Sequence, residues 1–365
     1  MELKIDKEHR MNDSKMLWHM DRVKKYFDEG KRIPPILMDV GATKFCNIRC
    51  VYCIGQYQKM SSAQLSKRAI VDLFETSPKI GIKAIALIGD GEPTLNPHIY
   101  EAMNAGKNNG LDICTTTNGV LLDDDDKIRN VLRNCTWMKY SLSAGTREGY
   151  KEIHRVDKFD TVVRNIERMV ELKEKGNYKC EVGLQSVYVP GLMDKEMIEE
   201  SKLAIRLGVD HFLIKQCSLP EKNNKVADVK FEHKQYLEEK IIETLKECES
   251  MSTEKTKIIP KWVLMNQEQG NKPYESCLAS PFLPQISGNG KMYPCGRLFI
   301  NDKYLMGDIE KQSIKEIIES ERYWEVIDMM KKFKVDVDCV GCCRQDKINE
   351  FCDEYVNTPK GVNFI

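Results

Sequence analysis

The sequence lacks any excess of charge: Lys plus Arg number 56, and Asp plus Glu number 56. A balanced chain has no overall field to draw it to nucleic acid or to an anionic membrane, so small or neutral partners are expected. Also missing is an apolar run long enough to span a bilayer, and the N-terminal stretch MELKIDKEHRMNDSK has no apolar signal-peptide core. A cytoplasmic location is therefore expected. Low-complexity sequence is absent too. The nearest case, LDDDDK at 122–127, sits at a helix start, where carboxylates complement the helix dipole.

Cysteine is abundant, with 14 in 365 residues. In a reducing compartment structural disulfides are a weak explanation for such a count, and metal ligation is a better one. Their placement agrees, because Cys46, Cys50 and Cys53 lie within eight residues and Cys339, Cys342, Cys343 and Cys352 within fourteen. Cys114, Cys135, Cys180 and Cys248 fall in apolar or helical patterns and read as small buried hydrophobes.

From Ile36 a short apolar run followed by a helical stretch repeats along the chain. The runs are 36–42, 84–89, 111–117, 136–143, 180–189 and 211–217, with helical patterns near 61–76, 97–109, 122–133, 146–175 and 193–207. Such alternation argues for a parallel sheet covered by helices, and six strands for a partial (β/α)6 TIM-like barrel in the α/β class. Before it, residues 14–29 form an amphipathic helix with Met16, Leu17, Met20, Val23 and Phe27 on one face. After Cys217 the texture becomes polar. The expected divisions are an N-terminal helical segment at 1–35, the barrel at 36–225, and at 226–365 a linker helix with a small cysteine-rich α+β domain containing a helix over SIKEIIESERYWEVIDMMKKF.

Chemistry in such barrels collects at the C-terminal ends of the strands. Cys46-Asn-Ile-Arg-Cys50-Val-Tyr-Cys53 follows the first run at that end. Three thiolates at this spacing can hold three irons of a cubane and leave the fourth without a protein ligand. The segment resembles the radical S-adenosylmethionine (SAM) superfamily signature CxxxCxΦC, with Tyr52 at the aromatic position. The resemblance extends over Gly89-Asp90-Gly91-Glu92-Pro93, similar to the GGEP segment with Asp90 in place of the first glycine, over Thr117-Asn118-Gly119, and over Ser141-Leu142-Ser143.

The resemblance implies a [4Fe-4S] cluster on Cys46, Cys50 and Cys53 and a SAM site at Tyr52, Gly91, Glu92, Pro93, Asn118, Ser141, Ser143 and Gln185, with Arg155 or His154 at the SAM carboxylate. Lys215 or Gln216 is implied to line the same cavity. Reductive cleavage of SAM would give a 5′-deoxyadenosyl radical, with a donor such as flavodoxin or ferredoxin supplying the electron.

In the C-terminal part, Cys277-x12-Gly290-x4-Cys295 followed by Cys339-Val-Gly-Cys342 resembles a SPASM/twitch extension. This implies a second [4Fe-4S] cluster on Cys277, Cys295, Cys339 and Cys342, with Cys343 outside the ligand set. The same four thiolates would also suit structural zinc.

A saturated second cluster fits electron transfer, so oxidation of a secondary alcohol in a sugar, cyclitol or nucleoside-like small molecule is the first expectation. Epimerisation with Cys217 as hydrogen donor is the second. Modification of a ribosomal peptide is the third, less favoured because about 35 residues before the barrel leave little room for a leader-binding domain.

Overall fold

The computed structural model describes residues 13–56, 60–217, 232–265, 272–339, 343–358 and 360–363. Six strands match the six apolar runs: β1 Leu37–Val40, β2 Ala84–Leu87, β3 Asp112–Thr117, β4 Trp137–Ser141, β5 Glu181–Tyr188 and β6 His211–Gln216. They pair in parallel and in chain order. Parallel neighbours cannot be joined by a tight turn, so crossover helices lie between them: Lys67–Lys79, Ile99–Asn108, Asp125–Asn134, Phe159–Gly176 and Asp194–Leu207.

The sheet continues at both edges. The run KIIP becomes β7, Lys257–Pro260, parallel to β6, although the sequence reading assigned it to the C-terminal part. On the other side β8, Gln285–Ile286, pairs in parallel with β1 and leads into the antiparallel strands β9, Lys291–Tyr293, and β10, Gly307–Asp308. The order is β10-β9-β8-β1-β2-β3-β4-β5-β6-β7. The cysteine-rich region thus grows from the β1 edge of the barrel sheet. The expected boundary near residue 225 lies outside the described residues.

Successive residues of a strand face opposite sides of a sheet. Met38, Val40, Ile85, Leu87, Ile113, Met138, Tyr140, Leu184, Phe212 and Ile214 take one side and are almost wholly buried under the helices. The alternate set, Asp39, Cys114, Thr116, Trp137, Lys139, Ser141, Gln185 and Lys215, lines the barrel interior. Register ties these positions into one surface, since Cys114 opposes Trp137, Lys139 opposes Gly183, Ser141 opposes Gln185 and Val187 opposes Lys215.

Two expected helices are broken, and each break has a local cause. The 146–175 pattern divides into Arg147–His154 and Phe159–Gly176 because Arg155 is left-handed, at φ 59°. The 313–333 pattern divides into Ile314–Glu319 and Glu321–Lys331 at Ser320, whose hydroxyl caps the second helix by accepting from the Tyr323 N–H. The N-terminal stretch is a 3-10 segment, Asp13–His19, running into a helix, Met20–Phe27; Met16 and Val23 are buried, but Leu17 is exposed. Among the described residues no helix is long and apolar enough to cross a membrane.

Candidate active site and cluster loops

The loop after β1 carries Cys46, Cys50 and Cys53, all partly buried. Glycine lets this loop lie against the one after β2: a Cβ on Gly91 would stand 2.3 Å from the Thr43 carbonyl oxygen and 2.5 Å from that of Phe45. The Glu92 N–H donates to the same Phe45 oxygen at 2.9 Å. Burial pushes the Cys46 thiol up to about 12 and the Cys50 thiol well above the ordinary range, and the neighbouring sulfurs raise Cys50 further. The three thiols therefore share one pocket. Among the described residues, no three His, Cys, Asp or Glu side chains converge closely enough to hold a single metal ion.

The resemblance-derived residues form the walls of this pocket. Glu92 is buried and accepts four hydrogen bonds, from Thr94 N–H (3.0 Å), Thr94 Oγ1 (2.6 Å), Thr117 Oγ1 (2.5 Å) and Asn118 N–H (2.7 Å). Its carboxylate staples the loop after β2 to the turn after β3. Pro93 opens a buried 3-10 turn beside it. Asn118 Nδ2 donates to Asn47 Oδ1 at 2.6 Å and lies 3.8 Å from Cys46 Sγ. Tyr52 bonds Ser143 through the two hydroxyls at 2.7 Å, and Ser143 Oγ accepts from the Val187 N–H at 3.2 Å. Ser143 lies just past β4 and is left-handed at φ 52°.

Of the two candidates at the helix end, His154 enters the site and Arg155 lies exposed. The Leu142 carbonyl can only accept, so His154 Nε2 carries the ring proton and Nδ1 accepts from Cys50 Sγ at 3.0 Å. Burial lowers the imidazole to about 4 and keeps the ring neutral.

A second cavity lies in the C-terminal region, walled by Cys277, Cys295, Cys339 and Cys343. Cys342 lies outside the described residues. The Cys343 turn is fixed by Asp346, which accepts from the Cys343 N–H at 3.1 Å and holds Lys272 in a buried ion pair at 2.7 Å. Asn349 Nδ2 reaches Cys277 Sγ at 3.9 Å. Cys339 is the more acidic of the Cys339–Cys343 pair, because Cys343 donates to it and Arg297 and Lys272 lie nearby. Burial pushes Cys295 up to about 12.

The radical SAM superfamily model matches residues 40–204, and an iron-sulfur cluster-binding domain, SPASM, matches 281–344. The chain is a radical SAM enzyme with a SPASM domain. GTP 3′,8-cyclase of Chlorobaculum tepidum is 31% identical over 173 residues, 46% of this chain and 51% of that protein. Mycofactocin maturase MftC of Mycobacterium ulcerans is 26% identical over 135 residues, 37% of this chain and 36% of that one. This radical SAM enzyme thus spans about half the length of the cyclase, and less of the maturase. In fold it resembles Streptococcus suis SuiB bound to precursor peptide SuiA, with a TM-score of 0.62 at 14% identity over 90% of this chain and 74% of that one.

The two families imply [4Fe-4S] clusters and SAM, and the donor sets fit them. Three soft thiol ligands share the first pocket, and four cysteines wall the second. Ser141 and Gln185 stand side by side on inner-face positions of this radical SAM enzyme. Gln216 faces the helices, whereas Lys215 faces the interior. Cys217 is buried, with its N–H shared between the Tyr188 carbonyl at 3.2 Å and the Tyr236 hydroxyl at 2.8 Å.

Asp90, the departure from GGEP, has a role not legible in the motif. Its Oδ2 accepts from Ser287 Oγ at 2.6 Å and its Oδ1 from the Gly288 N–H at 3.0 Å, while Lys44 pairs with it at 3.3 Å. It bolts the C-terminal hairpin to the cluster loop. Glu200 was also missed. It is wholly buried, accepts from Ser186 Oγ at 2.6 Å, and burial raises its carboxyl to about 8.

The folded pKa of Glu200 lies above the unfolded one, so its contribution is complete below the ordinary carboxyl range and is lost as pH rises towards 8. Glu200→Gln, neutral at every pH, should therefore melt several degrees above wild type at pH 8 and at nearly the same temperature at pH 5. Equal melting temperatures at pH 8 would show that Glu200 carries no such shift.

Proposed function

We propose that this radical SAM enzyme oxidises a secondary alcohol of a small polar substrate, a sugar, cyclitol or nucleoside-like molecule, held in the barrel interior. Cys46, Cys50 and Cys53 would hold the cluster that binds SAM, and Cys277, Cys295, Cys339 and Cys343 the second cluster. When bound, these groups supply a hydrogen-abstracting 5′-deoxyadenosyl radical and a one-electron acceptor.

One observation supports oxidation above the others. Arg344, the residue after Cys343, reaches from the wall of the C-terminal cavity into the barrel and pairs through Nε with Asp39 of β1 at 2.5 Å. The segment that carries Cys343 is thereby tied to the barrel interior, an arrangement that suits passage of an electron from a substrate there to the second cluster. The Tyr52–Ser143–Val187 bonds hold the first loop against β4 and β5, and the close approach of Gly91 seals it against the loop after β2. Such closure excludes water and stray hydrogen donors from a reactive radical. Conversion of the alcohol to a ketone removes one hydrogen atom from carbon, one proton from oxygen and one electron.

Epimerisation is the second reading, because Cys114 stands at an inner-face register position of β3 and Cys217 directly follows β6, where a thiol could return a hydrogen atom. Reconstituted enzyme, SAM and reductant incubated with a metabolite extract in D2O separate the two. Oxidation yields a product two mass units lighter than the metabolite consumed, and Cys217→Ala retains most of that activity. One deuterium gained without mass loss, abolished in Cys217→Ala or Cys114→Ala, would overturn oxidation.

A further inference from the structure

The barrel interior gathers several basic side chains. Lys139 on β4 and Lys215 on β6 occupy inner-face positions, and Lys261, whose N–H donates to the Ile214 carbonyl at 2.8 Å, follows β7 on the same face. Arg344 enters from the C-terminal region. Asp39 pairs with Arg344. Lys139 lies over the Trp137 ring at 4.1 Å, and among the described residues no carboxylate pairs with Lys139 or Lys215. His211 and Glu181 sit lower in the same interior, their side chains 4.0 Å apart.

Among the described residues Arg344 Nη2, a donor, and Asp39 Oδ1, an acceptor, are buried here without a hydrogen-bond partner, and Arg344 Nε meets Asp39 as an ion pair only. Leaving a buried polar group unsatisfied costs about 1–3 kcal/mol, more for a charged one. Such orphans are rare in native structures, and a bound group is one thing that can account for them. An acceptor of negative charge would satisfy Arg344 and offset the lysines. A neighbouring hydroxyl would satisfy Asp39.

We propose that the substrate carries an anionic group, a carboxylate or a phosphate, bound by Lys139, Lys215, Lys261 and Arg344, with an adjacent hydroxyl donating to Asp39. This rests on the reading of a small-molecule substrate in the barrel and narrows its class to a hydroxy acid or a phosphorylated polyol. The guanidinium and ammonium groups supply charge-assisted bonds that suit either anion.

The electrostatics agree. Burial pushes Lys139 down to about 7, with repulsion from Lys215, Lys261 and Arg344 adding to it and Cys114 opposing it. Burial and Arg344 push Lys215 down to about 8, with Cys217 opposing. An anion favours both protonated forms, so binding should take up protons and weaken as pH rises through 7 to 8.

Calorimetric titration of the reconstituted holoenzyme with inorganic phosphate and, separately, with malonate tests this. Saturable binding of at least one probe is expected, tighter at pH 6.5 than at pH 8.5. Phosphate alone would indicate a phosphate ester and malonate alone a carboxylate. Lys139→Gln and Lys215→Gln, compared at wild-type iron content, should each weaken binding at least tenfold, and Lys139→Arg should restore it. No saturable binding of either probe, or wild-type affinity in both Gln variants, would overturn the proposal. The radical SAM reading fails separately, through absence of 5′-deoxyadenosine from the same preparations.

Discussion

Cys343→Ala should halve the iron of the reconstituted enzyme, from about eight to about four per chain, two cubanes having four irons each. The thiol stands in the wall of the C-terminal cavity with Cys277, Cys295 and Cys339. Its backbone is fixed by Asp346, itself anchored by the buried Lys272. Removing it opens the donor set, while the loop of Cys46, Cys50 and Cys53 is untouched. SAM cleavage should persist and substrate turnover collapse. Cys342→Ala, made in parallel, should keep its iron. The reverse pattern would move the ligand back by one residue.

The second large effect concerns stability. Asp90 and Lys44 are both buried, and the Asp90 carboxylate also receives Ser287 and Gly288 from the far end of the chain. Removing one partner of a buried ion pair strands the other charge and costs about 3–5 kcal/mol. Asp90→Ala should lose about that much in denaturant unfolding. Asp90→Gly, which restores the usual motif, should lose at least as much because the carboxylate is what acts. A wild-type midpoint in both variants would show that the hairpin is held by something else.

The repeating apolar runs were sufficient to place β1 to β6, because a parallel strand buried under helices leaves a short continuous signal. That β7 extends the barrel sheet was not legible, since KIIP carries the same composition whichever neighbour it pairs with. The helix breaks at Arg155 and Ser320 were invisible to periodicity. Each is a single-residue change of backbone direction within an unbroken amphipathic pattern.

The first cluster loop was legible because its residues are close in sequence and spaced for the chemistry. Asp90 was not, for its partners lie almost two hundred positions away. Spacing alone cannot choose between the adjacent thiols of Cys342 and Cys343; Cys343 lines the cavity, and Cys342 lies outside the described residues. Lys215 was open only as an alternative to Gln216, and Lys139 was masked by the apolar residues alternating with it. Their shared face became visible only when the register aligned the strands.

The most direct measurement of the central assignment is 5′-deoxyadenosine formation by the Cys46→Ala, Cys50→Ala, Cys53→Ala triple variant, reconstituted anaerobically and assayed with SAM and dithionite. The expected result is about four irons retained per chain and no 5′-deoxyadenosine, against about eight irons and ready cleavage in wild type. A triple variant that still forms 5′-deoxyadenosine would contradict the assignment of these three cysteines.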